Sequence, residues 1–349
     1  SSSTDFKHFW NIPIYLILSL LCTYTPLTYW IHRHGDRTPI KASTIKKYST
    51  NPELLLAKTE FYGYGQLTDQ GKQRAYRMGQ FIRRRYNDLL SPKYNESEIY
   101  IQSTDVTRTK MTILSAMAGV YPPVAGDSWS ESINWVPVPY TTISARYDPV
   151  SIKTTKTTVY ILGQVSESLN LTFKLQDRPV LIFEVHDLLR SQVSKDLEAI
   201  WPEIKEAGDI AMDVIFGNLD YVSLMSGVIL KEFFEYSDLI LSGANTPRVR
   251  VYSSHDRNLY SLESALQLTP KQGVPRYSSL LSLELRRDAG GNVFVLPVYL
   301  PTPEEPEIYL QVEGCGGLRC SLDQFTNITS KYALDLGSWR TRCGWSDII

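Results

Sequence analysis

Short apolar runs alternate with longer amphipathic segments along most of the chain. The short runs are rich in β-branched and aromatic residues and predict buried strands at residues 27–32, 99–102 and 249–253. The longer segments repeat apolar residues every three to four positions and predict helices at residues 68–90, 105–118 and 222–236. Strands that alternate with helices predict an α/β fold, a doubly wound sheet with helices on both faces.

Two parts of the chain depart from this alternation. Residues 146–221 do not follow it, and we interpret them as an insertion into the α/β core. Residues 12–22 are strongly apolar, and no charged side chain separates Lys7 from Arg33. This length is typical of the apolar part of a secretory signal and is short for a membrane crossing, so we expect residues 1–25 to form a signal peptide. The alternative is a buried core segment. We expect no stable membrane anchor.

Composition narrows the function classes. The chain has 349 residues, of which 43% are hydrophobic and 21% charged, which excludes a disordered, collagenous or disulfide-scaffold protein. Lys and Arg number 36 against 37 Asp and Glu, a net charge of −1. A nucleic-acid partner requires a basic surplus, and we therefore expect none.

The glycosylation sequons and the cysteines indicate the cellular compartment of the protein. Three Asn-x-Ser/Thr sequons predict glycosylation at Asn95, Asn170 and Asn327. Cys315 and Cys320 are separated by a flexible stretch that contains two glycines, and we expect them to form a local disulfide. Cys22 would leave with the signal peptide, so Cys343 is then unpaired. These features favour a secreted glycoprotein.

The loop after the first predicted strand holds the densest group of reactive side chains. It contains Arg33, His34 and Arg37, and Gly35 permits a tight turn. Guanidinium groups bind tetrahedral oxyanions such as phosphate in pairs, and a neutral imidazole among them can attack phosphorus. The neighbouring positive charges favour that neutral form. The loop therefore predicts phosphoryl transfer through a phosphohistidine.

Two other interpretations of this loop compete with phosphoryl transfer. His32, His34 and Asp36 have the alternating spacing of a metal motif in some zinc hydrolases. Arg33 and Arg37 would repel a dication, however, and no further histidine-rich or cysteine-rich motif completes a metal shell. The second alternative is a loop of surface salt bridges. We expect no metal or other cofactor.

Two histidine–aspartate pairs compete for a role beside this loop. His255 and Asp256 directly follow the predicted strand at residues 249–253, the position at which open α/β sheets bind ligands. His186 and Asp187 also follow an apolar run, but the residues after them continue as a helix, where Asp187 is a first-turn acid. We therefore expect His255 and Asp256 at the site.

Residues 33–39 have the pattern R-H-G-x-R-x-P, which resembles the signature of the histidine acid phosphatases, the second branch of the histidine phosphatase superfamily. Residues 65–71, 103–109 and 254–256 resemble further segments of that family, in the same order. The likeness is greatest to the animal prostatic and lysosomal acid phosphatases. It covers most of residues 27–145 and 222–343.

The resemblance implies hydrolysis of small phosphate monoesters at acid pH through a phosphohistidine, without a cofactor. It implies that His34 is the nucleophile and that Asp256 is the general acid and then the base. The phosphate-binding residues that it implies are Arg33, Arg37, Arg108 and His255. Arg108 rests on the resemblance alone, because nothing else in the sequence distinguishes it from the other arginines.

The resemblance also implies an architecture and a location. Residues 26–145 and 222–349 form the phosphatase core, and residues 146–221 form an α-helical cap that is shortened here. A shortened cap predicts an open site with a broad substrate range; the alternatives are a specialised phosphatase such as a phytase and an inactive phosphate-binding homologue. Residues 135–139, WVPVP, resemble a strand that pairs across a two-fold interface, which implies a homodimer. The implied location is secreted or lysosomal.

Overall fold

The computed structural model describes residues 23–40, 42, 46, 52–124, 129–150 and 201–344. The predictions for Asn170, for His186 and Asp187, and for most of the signal peptide and of the insertion lie outside these residues. The strands are β1 (Thr23–Arg33), β2 (Ile99–Thr104), β3 (Thr141–Ile143), β4 (Val249–Ser254), β5 (Leu268–Thr269), β6 (Leu280–Asp288), β7 (Val293–Leu300), β8 (Ile308–Tyr309), β9 (Gln311–Val312) and β10 (Cys320–Ser321). The expected signal peptide extends to residue 25, but β1 begins at Thr23, which pairs with Asp288, so residues 23–25 belong to the main sheet instead.

The main sheet is mixed. Its strand order is β10-β7-β6-β1-β4-β2-β3, and β8 pairs with β7. Strands β1, β4, β2 and β3 are parallel, with Arg33 opposite Ser254 and Ser103 opposite Ser253, so these strands end at the same edge of the sheet. Strands β6, β7 and β10 form an antiparallel half that the sequence analysis did not predict.

Helices cover both faces of the sheet, which confirms the predicted α/β class. They are α1 (Pro52–Tyr62), α2 (Asp69–Arg85), α3 (Thr107–Val120), α4 (Trp201–Phe216), α5 (Leu219–Leu241), α6 (Asp256–Ala265), α7 (Leu322–Thr329) and α8 (Leu336–Arg342). In the part of the chain that the structure describes, no single helix has the length and apolar character to cross a membrane; one bent pair, 208–216 with Leu219–Leu241, meets those criteria only when taken together.

Alternate side chains of β1 separate two cores. Tyr29 and Ile31 pack with residues of α4, α5 and α6 on one face, and Trp30 packs with residues of α2 and α3 on the other. A strand buried on both faces reads as a continuous apolar run, as residues 27–31 do. The two cores together fix the end of β1, from which the candidate site begins.

Helix α2 ends at Arg85, earlier than predicted, and two of the three arginines in its last turn have fixed partners. Arg83 donates to the carbonyl oxygens of Val120, Leu90 and Ser91 and so joins three segments of chain. Arg85 forms an ion pair with Glu284 of β6 at 2.9 Å. The charged ends of both arginines therefore meet fixed partners within the protein.

The predicted disulfide between Cys315 and Cys320 is present, with a Cα–Cα distance of 5.2 Å. Cys343, at the end of α8, is a free cysteine within the described residues. Of the predicted insertion, the structure describes residues 146–150 and the segment from α4 onward. The boundaries of the predicted cap at residues 146 and 221 remain predictions.

Candidate active site

The candidate site lies where the parallel strands end. Strand β1 ends at Arg33, and the adjacent strand β4 ends at Ser254, directly before His255. The backbone N–H of His34 donates to the carbonyl oxygen of Ser254 at 3.1 Å, which links the two strand ends. Strand β2, on the other side of β4, leads through Thr104 into helix α3 and Arg108. The topology therefore brings together residues that are more than 200 positions apart in sequence.

The loop after β1 packs against the first turn of α2 with no space for additional side-chain atoms. A Cβ atom on Gly35 would lie 2.4 Å from the carbonyl oxygen of Gly71, and one on Gly71 would lie 2.2 Å from the carbonyl oxygen of Asp36. Thr68 caps α2 by accepting from the N–H of Gly71, and its hydroxyl donates to the Asp36 carbonyl at 3.1 Å. The two glycines explain why this helix start packs directly against the loop.

His34 is buried, and its hydrogen bond fixes its tautomer. Its Nδ1 lies 2.9 Å from the carbonyl oxygen of Gly35. Because a carbonyl only accepts, Nδ1 carries the proton and Nε2 keeps its lone pair. Burial, followed by the charges of Arg108 and Arg33, holds the pKa of His34 well below its usual value. The imidazole is therefore neutral and able to act as a nucleophile.

Arg33 is held from three sides. Its Nη1 donates to the carbonyl oxygen of Pro275 at 2.7 Å, and its Nη2 lies 3.0 Å from Oδ2 of Asp256. The guanidinium carbon lies 4.3 Å from the ring centroid of Tyr277. The same ring lies 5.7 Å from that of His34. An arginine that is 1% exposed and fixed in this way presents its donors to the site in one orientation.

Arg108 and Arg37 add further positive charge. Burial and the charge of Arg37 lower the pKa of Arg108 to about 10. The buried Nε of Arg108 has no hydrogen-bond partner among the described residues. Arg37 donates to the carbonyl oxygen of Thr38 at 3.0 Å. Cations that crowd one another and leave a buried donor unsatisfied indicate a site built to receive an anion.

His255 and Asp256 begin helix α6. The backbone N–H of His255 donates to the side chain of Asn258 at 3.2 Å in a capping box. The ring of His255 lies 5.5 Å from the ring of His34. Withdrawal from water and the charge of Arg108 lower the pKa of His255 to about 3, although Asp256 acts in the opposite direction. Both histidines are therefore neutral in the unliganded site.

The structure also brings residues to the site that the sequence analysis missed. Tyr277 and Pro275 contact Arg33 from a segment that shows neither periodicity nor a motif. Thr104 contacts His255 from the end of β2, with its hydroxyl 3.2 Å from Nε2. Only the position of Thr104 at the end of a predicted strand, beside the family-like segment at 103–109, could have indicated a role.

The metal interpretation of the loop does not match the geometry. Asp36, which that interpretation requires as a ligand, forms a salt bridge with Arg74 at 2.7 Å. His32 is buried in β1, and burial lowers its pKa to about 4. Within the described ranges, no group of three or more histidine, cysteine, aspartate or glutamate side chains could hold a metal ion. The donor set instead combines neutral imidazoles, guanidinium groups and one carboxyl group, which suits phosphate.

Comparison with known proteins supports this chemistry. The sequence model of the histidine phosphatase superfamily (branch 2) matches residues 29–157. The chain is 27% identical over 331 residues to rat lysosomal acid phosphatase, covering 86% of this chain and 76% of that protein. It is 26% identical over 346 residues to mouse prostatic acid phosphatase, covering 90% and 87%. The chain is therefore similar to branch 2 of the histidine phosphatase superfamily over residues 29–157, and to lysosomal and prostatic acid phosphatases over most of its length.

Solved structures agree with this similarity at the level of the fold. The phytase of Hafnia alvei in complex with tartrate superposes on this chain with a TM-score of 0.66 at 15% identity, over 90% of this chain and 98% of the phytase. The phytase of Citrobacter braakii gives 0.64 at 15% identity, over 89% and 98%. The loop at residues 33–39 falls within the family match, and α6 with His255 and Asp256 lies beyond it.

Proposed function

We propose that this protein is a histidine acid phosphatase that hydrolyses phosphate monoesters through a phosphohistidine at His34. The observation that carries the proposal is the hydrogen bond from Nδ1 of His34 to the Gly35 carbonyl. This bond leaves the lone pair on Nε2, in a site where burial and the arginines keep the imidazole neutral. The curated relatives named lysosomal and prostatic acid phosphatase, from rat and mouse, support the same activity.

The first half of the reaction transfers the phosphoryl group to the protein. Arg33, Arg37 and Arg108, with His255, bind the phosphate oxygens and spread their charge. Nε2 of His34 attacks phosphorus as the bond from phosphorus to the ester oxygen breaks. Asp256, whose carboxyl group lies 3.0 Å from Arg33, gives its proton to the departing oxygen. The products are an alcohol and phosphohistidine.

The second half restores the enzyme. A water molecule attacks the phosphorus of the phosphohistidine, the N–P bond breaks, and the water proton passes to the Asp256 carboxylate. Inorganic phosphate leaves, and His34 and Asp256 return to their starting protonation states. The first step requires a protonated carboxyl group, which supports an acid working range. No metal takes part in either step.

The proposed substrate class is broad. A phosphatase cap covers the phosphate site, and we propose that the shortened insertion at residues 146–221 leaves room for aryl, sugar and nucleotide monophosphates. Catalytic efficiencies within about tenfold across these classes are expected. A preference of more than about a hundredfold for one class would replace this proposal with a specialised phosphatase.

The proposal is tested by hydrolysis of an aryl phosphate between about pH 4 and 8, with and without a chelator. We expect chelator-insensitive activity at acid pH that falls by about a thousandfold or more in His34→Asn. His32→Asn, at a histidine of the same strand end, is the matched control for the amide substitution. An alkali-stable phosphoprotein should appear in the wild type and be absent from His34→Asn. A folded wild type that binds phosphate without turnover would instead establish a phosphate-binding homologue.

We propose that the protein is a secreted or lysosomal glycoprotein, as the names of its lysosomal relatives suggest. Asn95 is exposed, and its Oδ1 accepts from the N–H and the hydroxyl of Ser97. Asn327 is exposed on α7. Both sites can therefore carry a glycan without disturbing the core. Glycosidase treatment of protein expressed in animal cells should lower its apparent mass, and Asn95→Gln with Asn327→Gln should reduce that shift.

A homodimer is proposed at the edge of the sheet. Strand β3 ends the strand order, with Thr141 and Thr142 exposed, and the preceding segment exposes Trp129 and Trp135. Edge strands and exposed tryptophans favour pairing between copies. Light scattering should give twice the chain mass for the wild type and the monomer mass for Trp135→Ser. A wild type that stays monomeric at about 50 µM would reject the dimer.

A further inference from the structure

The hydroxyl groups of Thr104 and Thr109, which lie in a row beside His255, have no role in the mechanism proposed above. The hydroxyl of Thr104, which is 1% exposed, lies 3.2 Å from Nε2 of His255 and 2.9 Å from the hydroxyl of Thr109. On the other side of the imidazole, Nη2 of Arg108 lies 3.5 Å from Nδ1. His255 therefore has one nitrogen on the phosphate-binding side and one nitrogen against a buried hydroxyl.

Counting protons fixes the direction of each hydrogen bond in the unliganded site. The hydroxyl of Thr109 lies 2.9 Å from the Thr104 carbonyl oxygen and 2.8 Å from that of Val106, and carbonyls only accept, so Thr109 donates its proton there. The bond between the two threonine hydroxyls must then use the proton of Thr104. The oxygen of Thr104 is left to accept from Nε2–H of His255.

Arg108 imposes the same tautomer from the other side. A guanidinium group only donates, so Nδ1 of His255 must present its lone pair to Arg108. A neutral imidazole with a lone pair on Nδ1 carries its proton on Nε2. The low pKa of His255, about 3, agrees with a neutral ring. Two independent contacts thus require Nε2–H in the absence of phosphate.

Phosphate binding reverses this requirement. On the proposed function, on which this inference rests, His255 donates to a phosphate oxygen, and phosphate oxygens accept. Nε2 faces the buried Thr104, so the donor must be Nδ1. A neutral ring with Nδ1–H has a lone pair on Nε2, and that lone pair needs a donor. A hydroxyl group can rotate from accepting to donating, which a carbonyl oxygen or an ammonium group cannot do.

We propose that Thr104 is a positioning residue whose hydroxyl accepts from Nε2–H of His255 in the free enzyme and donates to Nε2 when phosphate is bound. Thr109 completes the arrangement by accepting the Thr104 proton in the free state. The rotation lets His255 become a phosphate donor without taking up a second proton. Without a hydroxyl group at position 104, Nε2 of His255 loses its partner both in the free enzyme and in the phosphate-bound enzyme.

Nitrogen NMR of protein labelled at its five histidines reports this tautomer directly. The His255 signals are assigned by their loss in His255→Asn. We expect Nε2–H in the free wild type and Nδ1–H at saturating inorganic phosphate. A ring that keeps Nε2–H with phosphate bound, or that becomes doubly protonated, overturns the proposal.

Affinity for inorganic phosphate provides the second arm. Thr104→Val, which keeps the shape without the hydroxyl, should weaken the phosphate Kd about tenfold, and Thr104→Ser should stay within about twofold of wild type. Ser103→Ala is the control, because Ser103 is equally buried but donates only to a backbone carbonyl. Equal weakening in the valine and serine variants would show a packing role and overturn the proposal.

The NMR and affinity measurements also distinguish a failure of this inference from a failure of the proposed function. A wild type that neither hydrolyses an aryl phosphate nor binds inorganic phosphate refutes the phosphatase proposal. The free-state spectrum still decides whether Thr104 accepts from Nε2–H, because that spectrum needs no ligand. An active wild type whose His255 carries its proton on Nδ1 before phosphate is added refutes the role of Thr104 alone.

Discussion

Asp148 is a buried carboxyl group whose protonation should make the stability of this protein depend on pH. It is fully buried, and its Oδ1 accepts from Nε2 of Gln102 at 3.0 Å and from the N–H of Val150 at 2.9 Å. Its Oδ2 has no hydrogen-bond partner among the described residues. Burial, reinforced by the charge of Asp105, raises the pKa of Asp148 from 3.8 to about 7.

The sign of the effect follows from that direction. Below about pH 4 the group is protonated in both the folded and the unfolded chain, and burial of the charge costs nothing. Between about pH 4 and 7 the unfolded chain loses the proton while the folded chain keeps it, so stability falls as pH rises. A difference of about 3 units between the pKa of Asp148 in the folded chain and in the unfolded chain corresponds to an upper limit of about 4 kcal/mol in the free energy of unfolding.

Urea unfolding of Asp148→Asn and wild type at about pH 4, 5.5 and 7.5 measures this contribution. The amide keeps the Oδ1 acceptor and carries no charge at any pH. We expect the two proteins to be nearly equal at the lowest pH and the variant to be more stable by a few kcal/mol at the highest. Asp238→Asn, at an exposed position on α5, controls for the substitution itself. If the difference in unfolding free energy between Asp148→Asn and wild type stayed constant from pH 4 to 7.5, the reasoning would be refuted.

Three further substitutions test the site and its support. Gly71→Ala places a Cβ 2.2 Å from the carbonyl oxygen of Asp36, so kcat should fall by about a hundredfold while the fold, followed by circular dichroism, is retained. Arg108→Ala should weaken inhibition by inorganic phosphate by about 10- to 100-fold, and Arg84→Ala, an exposed arginine, should leave it unchanged. Glu284→Gln should lower the urea-unfolding free energy by about 3 kcal/mol, because it leaves the cations beside this buried carboxylate without their counter-charge.

Sequence alone predicts strands β1, β2 and β4 of the parallel half and the loop of the candidate site, because these depend on local patterns; the short edge strand β3 is not predicted. The apolar run before Arg33 and the run before His255 each fix a strand end, and parallel neighbours end at one edge. Strand β6 pairs with β1 across some 250 positions, and β7 pairs in turn with β6. The place of these two strands in the sheet depends on the contact between β6 and β1, which no local window reports.

The residues that hold the site residues in place are also harder to predict, because their contacts are long-range. Tyr277 lies against Arg33 and His34 because the segment before β6 returns to the end of β1, where the N–H of Ser278 donates to the carbonyl oxygen of His34 at 3.1 Å. Arg83 and Arg85 of α2 find their partners in α3, the following turn and β6, and no pattern within the helix indicates those partners. Long-range contacts decide both cases.

The salt bridge between Arg33 and Asp256 gives the empty enzyme an internal counterion. On the proposed mechanism, an anionic ester that reaches Arg33 takes over that role, and the carboxylate, now beside a new negative charge, binds a proton more tightly. Arrival of the substrate then favours the protonated form of Asp256 that the first proposed step uses, and departure of phosphate favours the carboxylate again. The same salt bridge therefore links the protonation of Asp256 to the occupancy of the site.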